Sequence, residues 1–313
     1  MSEENKNPNE SKAFIVGYGG WVMIGTHSTA YMDYANQGFG YVTPDAATHT
    51  MLQVTSASVT KQVNIPTANS YYLPLSGTIN DGTSAKAPIL LGEGICNFTG
   101  EISFELTQGS MNKLFNNSFL NRKTWFEIIM FDNGKQCSMT NCVWSSFSIQ
   151  CSPNSLVTVS ISFQSNNGYL SAFQINSSSD TTFLYNKEDL LVPYWSCGHD
   201  LFQDFSVTFD RNVTPVFLNG TNKTAAYLRA GLVNVSVNAN TLSYHLPSEF
   251  KSGSVINLKF GLTPTSSGKT LKLIYPQVQS QGYNMPSMGD IGTKSYTWTS
   301  IGGKSSYQVY SFS

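Results

Sequence analysis

Between Gly94 and Phe163 the chain alternates. Ile102, Phe104 and Leu106 are separated by Glu101, Ser103 and Glu105, and the run from Leu156 to Phe163 alternates as cleanly. A period of two puts one set of side chains on a buried face and the other on an open face, the signature of a half-buried strand. Between these runs, Ser110-Met111-Asn112-Lys113-Leu114-Phe115 reads as one or two helical turns with Ser110 at the cap. Trp125 to Phe131 is a dense apolar strand, and Asp132-Asn133-Gly134-Lys135 is a hairpin turn whose Asn-Gly pair tolerates positive φ. The hairpin leads into Cys142-Val143-Trp144.

The same order of features returns later in the chain. Ser58-Val59-Thr60 is matched by Ser206-Val207-Thr208, 148 residues on, and Gly94 to Thr99 by Gly231 to Ser236, 137 residues on. The difference of 11 places a deletion in the connection between them. Pro247-Ser248-Glu249-Phe250-Lys251 stands for the short helix, with Gly253 past its end. Val255 to Gly261 answers Trp125 to Phe131, Gly268-Lys269 answers Gly134-Lys135, and Ser295 to Thr299 is a poorer counterpart of the last alternating strand. This order predicts two β-rich domains related by duplication, each with one short helix.

With 313 residues the chain is long enough for two such domains. Charged residues make up 12%, about half the usual share, and the formal net charge is −1. That balance argues against electrostatic capture of nucleic acid, which needs clustered Lys and Arg. The five cysteines, Cys96, Cys137, Cys142, Cys151 and Cys197, form no CxxC pair and do not read as a disulfide framework. A bridge between Cys142 and Cys151 is left to geometry. The polar first residues carry no apolar core of a leader, and no apolar run approaches the ~20 residues a membrane span needs. Synthesis in a reducing cytoplasm, with no membrane, is the expectation.

Taken in order, 1-47 reads as an N-terminal arm, Gly- and aromatic-rich from residue 13 to 43. A first domain spans 48-164, a Ser/Asn/Thr-rich linker 165-189, and a second domain 190-313. Gly17-Tyr18-Gly19-Gly20 lacks the Lys-Ser/Thr of a phosphate loop. His27, His49, His199 and His245 have no partner at ligand spacing, and Cys137, Cys142 and Cys151 read as free thiols rather than a partial zinc site. No nucleophile elbow or framed carboxylate pair occurs. No catalytic residue, metal ligand or cofactor is therefore assigned, and an enzyme is not expected. Trp125 and Trp144 are expected in the core.

Ser58-Val59-Thr60-Lys61, the run Phe98 to Leu106 before the turn at Ser110, and the strand from Trp125 to Ile128 together resemble a bacteriophage tail tube protein with two fused tube domains. With the second copy, the resemblance covers roughly residues 48-300. Val237-Asn238-Ala239 departs from it where the first copy has Gly100-Glu101-Ile102. The resemblance implies a mainly β fold of two tandem β-barrel or sandwich domains with an N-terminal arm. It implies trimeric, pseudo-hexameric rings that stack into a tube, contact other tail proteins, and conduct DNA without specific binding. The location would be the virion tail, assembled in the host cytoplasm. Glu101, Ser103 and Glu105 are then the channel-facing candidates, and Tyr18, Trp21, Tyr31, Tyr34, Tyr71, Tyr72 and Trp195 the assembly-interface candidates. A baseplate or tail-tip hub and a receptor- or carbohydrate-binding β-sandwich are the alternatives.

Overall fold

The computed structural model describes residues 12–15, 21–27, 49–64, 67–68, 89–90, 95–120, 125–132, 135–172, 189–197, 202–217, 225, 227–242, 255–266, 268–274, 277–284, 292–299 and 310–313. They are mainly β. The strands are β1 (Lys12–Ile15), β2 (Trp21–His27), β3 (His49–Asn64), the short pair β4 (Thr67–Ala68) and β5 (Ile89–Leu90), and β6 (Ile95–Glu105). After helices α1 (Gln108–Leu114) and α2 (Asn117–Leu120) come β7 (Trp125–Asp132), β8 (Lys135–Cys151) and β9 (Thr158–Ala172). The second half holds β10 (Tyr194–Ser196), β11 (Phe202–Val216), β12 (Tyr227–Thr241), β13 (Val255–Gly261), β14 (Lys269–Ile274), β15 (Gln277–Asn284), β16 (Thr293–Thr299) and β17 (Tyr310–Phe312).

Strands β8, β7, β2, β3, β6 and β9 pair in that order, and β9 returns to β8, closing a six-stranded antiparallel barrel. Closure removes the free edges that a six-stranded open sheet would carry. Alternation drives it: Phe98, Ile102 and Phe104 of β6, Ile128 and Met130 of β7 and Ile161 and Phe163 of β9 are all buried. Trp21–His27 lies between β3 and β7. This part of the expected arm is therefore barrel wall, because Val22, Met23 and Ile24 are apolar and fully covered.

Strand β8 is long enough to serve two neighbours on one edge. Its first half pairs with β7 and its second half, Ser146 to Cys151, pairs with β11. The sheet thus runs on from the barrel through β11, β12, β16 and β15. Strand β3 branches in the same way, with β2 on its first half and β1 at Ser58 to Lys61. Beneath the sheet, α1, α2 and a small sheet ordered β10-β13-β14-β17 cover the core. Phe115 stacks against Phe312 and meets Phe260 edge-on, with both pairs of ring centroids 5.0 Å apart. One continuous apolar cluster runs from the barrel into Phe205, Phe209, Val237 and Trp298.

The offsets read from the sequence reappear in the strand registers. Moving β3 by 148 and β6 by 137 carries Val59↔Gly100 onto Val207↔Val237, which are observed partners. With the 134 that separates Gly134 from Gly268 applied to β8, the pairing itself supplies 135 for β9, and Ser148↔Ser160 then falls on Gly282↔Ser295. The same 134 carries the register shift at Trp144/Ser146 onto the one at Val278/Ser280. Under the same offset β14 and β15 together correspond to the single strand β8, and Pro276 comes between them in the sequence.

Helix α1 starts differently from the expectation. Its cap is Thr107, and Ser110 is the third helical residue, closing a capping box through the Thr107 backbone amide. The helix counterpart at 247–251 lies outside the described residues. Strand β9 continues to Ala172, inside the expected linker. At the other end of that stretch, Asp189 accepts from Gly109 N at 2.6 Å and Thr107 Oγ1 at 2.8 Å, so the chain entering the second half is tied to the start of α1.

Candidate functional site

The same alternation that fills the core lays out its opposite face. Across β3, β6, β9, β8, β11, β12, β16 and β15 one row of Cα partners reads Gln53, Glu105, Thr158, Gln150, Ser206, Asn238, Thr297, Ser280. The next, from β3 to β16, reads Ser56, Ser103, Ser160, Ser148, Thr208, Ser236, Thr299. A third reads Ser58, Glu101, Ser162, Ser146, Asp210, Asn234. Every residue is Ser, Thr, Asn, Gln or a carboxylate, with no Lys or Arg. The row behind the first, Val54, Phe104, Val159, Ile149, Val207, Val237 and Trp298, is apolar throughout.

Short polar side chains can bond one another across such a surface. Ser103 Oγ lies 2.8 Å from Ser160 Oγ, Thr55 Oγ1 donates to the Ser103 carbonyl at 3.1 Å, and Thr297 Oγ1 donates to Asn238 Oδ1 at 2.9 Å. The result is a polar surface whose formal charge comes from Glu101, Glu105, Asp204 and Asp210. A recess of about 210 Å³ interrupts it where β8 meets β11, with Gln150, Asp204, Ser206, Asn238 and Asn240 around a floor of Cys151, Phe205 and Ala239.

Glu101, Ser103 and Glu105 sit together on this face, Glu101 exposed and the other two half-buried. Trp21 is elsewhere, half-buried on β2, with its ring 3.8 Å from that of Phe131. Trp195 pairs with Phe260 in the small sheet and donates Nε1 to the Ser152 carbonyl at 3.3 Å. Tyr18, Tyr31, Tyr34, Tyr71 and Tyr72 lie outside the described residues. Asp204 and Asp210 of the polar face were not singled out by sequence reasoning. The alternation Phe205-Ser206-Val207-Thr208-Phe209-Asp210 carried the signal for them.

Other titratable groups are structural. Arg211 lies where β7 and β11 diverge from β8, donates Nε to the Trp144 carbonyl at 2.7 Å, and places its Cζ 3.6 Å from the centre of the Trp144 ring. Burial pulls its pKa down to about 9. His49 Nε2 is 2.9 Å from Glu127 Oε1, a pairing hidden in the sequence because strand β2 brings the two residues together. Cys142 and Cys151 are nine residues apart on one strand, about 30 Å, so no bridge can join them. Burial raises the pKa of Cys137 to about 12 and pushes the Cys142 and Cys151 thiols up as well. Among the described residues, no group of three or more His, Cys, Asp or Glu is placed to hold a metal ion, and no helix is long and apolar enough to cross a membrane.

No known protein family matches the chain, and no curated protein is similar to it.

Proposed function

We propose that this chain is a structural subunit of a bacteriophage tail tube, built from two duplicated tube domains and assembling as trimeric, pseudo-hexameric rings that stack around a DNA channel. The observation that carries the reading is the continuous polar face. It crosses both halves without a cationic side chain in its rows, and its carboxylates at Glu101, Glu105 and Asp210 repel phosphate. A surface that guides a moving polyanion needs hydration without counter-charges, because each Lys or Arg contact adds salt-dependent binding. The shared registers of the two halves support duplication, which a pseudo-sixfold ring from three chains requires.

Negative-stain electron microscopy of the purified protein tests this reading: hollow tubes support it, isolated rings favour a tail-tip hub, and monomers at high concentration overturn both. In assembled particles, Glu101→Lys with Glu105→Lys is expected to slow DNA ejection. Normal ejection would remove these residues from the channel wall. The amide-rich recess at Asp204, Asn238 and Asn240 favours glycan binding as a second reading. Saturable binding to a glycan array by a non-polymerising protein would select it.

A further inference from the structure

The contact between the two halves of one chain is a template for the contact between two chains. In the chain, the second half of β8 pairs antiparallel with β11, Ser146↔Asp210, Ser148↔Thr208 and Gln150↔Ser206. By the register offsets, β15 stands in the place of that part of β8, and β3 in the place of β11. Carrying the seam across sets Ser280 against Gln62, Gly282 against Thr60 and Asn284 against Ser58. Ser280 and Asn284 then face polar residues, and Tyr283 falls opposite Val59.

Strand β15 is ready for such a partner. Among the described residues no strand covers its outer edge. Its eight residues, Gln-Val-Gln-Ser-Gln-Gly-Tyr-Asn, contain neither charge nor proline, the usual guards of a free edge. Three other edges among the described residues are short or guarded. Strands β10 and β17 have three residues each, and the uncovered part of β12 carries Arg229 and a register break. The matching edge of β3 is already filled: β1 lies on it with Ile15↔Ser58, Phe14↔Val59, Ala13↔Thr60 and Lys12↔Lys61. β1 imitates β15 there, with Ala13 for Gly282 opposite Thr60 and Phe14 for Tyr283 opposite Val59.

We propose that the β3 edge from Ser58 to Gln62 receives β15 of a second copy in the β8–β11 register, and that β1 holds this edge in the single chain and is displaced on assembly. The inference rests on the self-assembly proposed above. β1 yields because the carried register sets five residues of β15, Ser280 to Asn284, against β3 where β1 sets four, the logic of strand addition. Head-to-tail contact of two different edges closes into a ring when the rotation allows it.

Two single variants, Ser58→Cys and Asn284→Cys, mixed and oxidised by dioxygen with a copper catalyst, are expected to give covalent dimers. Each variant alone, and the parent with its native thiols, should give none. A truncation lacking residues 1–15 leaves the six barrel strands in place and is expected to lower the concentration needed for assembly about tenfold. If the parent assembles but the mixed pair does not cross-link, the seam is overturned while the tube reading stands. If the pair cross-links but the truncation assembles no more readily than the parent, the displacement by β1 is overturned. If neither parent nor truncation self-associates at any concentration, the inference and the tube reading fall together.

Discussion

Gly100 shows how a single residue decides what the barrel interior can hold. It faces Phe163 across the ladder, and a β-carbon built there would lie 2.4 Å from the tip of the Phe163 ring. In the second half Val237 pairs with Trp298, so that aromatic residue has a side chain for a neighbour. Gly100→Ala is expected to destabilise the protein by roughly 1–3 kcal/mol through overpacking, measured by urea unfolding. Combining it with Phe163→Leu should recover part of that loss, and strict additivity would show that the ring is not the obstacle. The buried thiols set a second residue-level property. Cys137, Cys142 and Cys151 hold their protons in the folded state above the unfolded value of 9.0. Their contribution to stability is fully present below pH 9 and falls as pH rises above it. The loss follows from the unfolded chain releasing protons that the folded chain keeps. Unfolding midpoints at pH 8 and pH 10 should separate accordingly, and Cys151→Ala should narrow the gap.

At the scale of elements, the start of α1 depends on a residue 80 positions away. Asp189 accepts from a backbone amide and from the capping threonine, and Leu190 offers its carbonyl to Gln108 N at 2.8 Å. Asp189→Ala is expected to cost about 1–2 kcal/mol, with Asp189→Asn intermediate, in thermal melts of the full chain. No reading of the local sequence places Asp189 there, since the cap is completed by a residue 80 positions away from Gly109 in the chain. Strands were legible for the opposite reason. The period of two in β6, β9 and β11 is local, and burial on one face enforces it, so Ile102, Phe104 and Leu106 turn inward as the alternation predicts. The offsets of 148 and 137 read between repeated motifs carry Val59↔Gly100 onto the observed pair Val207↔Val237, and a one-residue slip there would have turned each apolar set outward. The hairpin of β13 and β14 shows the tolerance of that rule. The offsets would pair Leu258 with Leu273, and it pairs instead with Leu271, a slip of two that keeps the same faces buried. The polar face was read only at Glu101, Ser103 and Glu105. Its remaining residues come together through long-range pairing of β8 with β9 and β11, which no local pattern encodes.

For the whole molecule, the aromatic, glycine-rich stretch before residue 48 divides into parts with different duties. β1 lies outside the barrel cycle and touches one edge of β3, whereas β2 is one of the six strands that close it. Removing residues 1–15 deletes an edge strand. The six barrel strands keep one another as partners, β3 losing only its pairing with β1, so the melt should remain cooperative. Removing residues 1–28 deletes the fully buried Val22 and Ile24 together with Met23, and leaves β3 and β7 with facing edges that nothing joins. Burial of three such side chains is worth roughly 5–9 kcal/mol, comparable with the whole stability of an ordinary domain of about 5–15 kcal/mol. The longer truncation is therefore expected to lose its barrel, seen as dye binding to exposed apolar surface and a broad, shallow urea transition, while the shorter one retains a sharp transition near the parent midpoint. A sharp, parent-like transition in the longer truncation would mean that β2 is dispensable to the barrel. Loss of assembly by that protein would report its unfolding, so only the shorter truncation can report on how copies join.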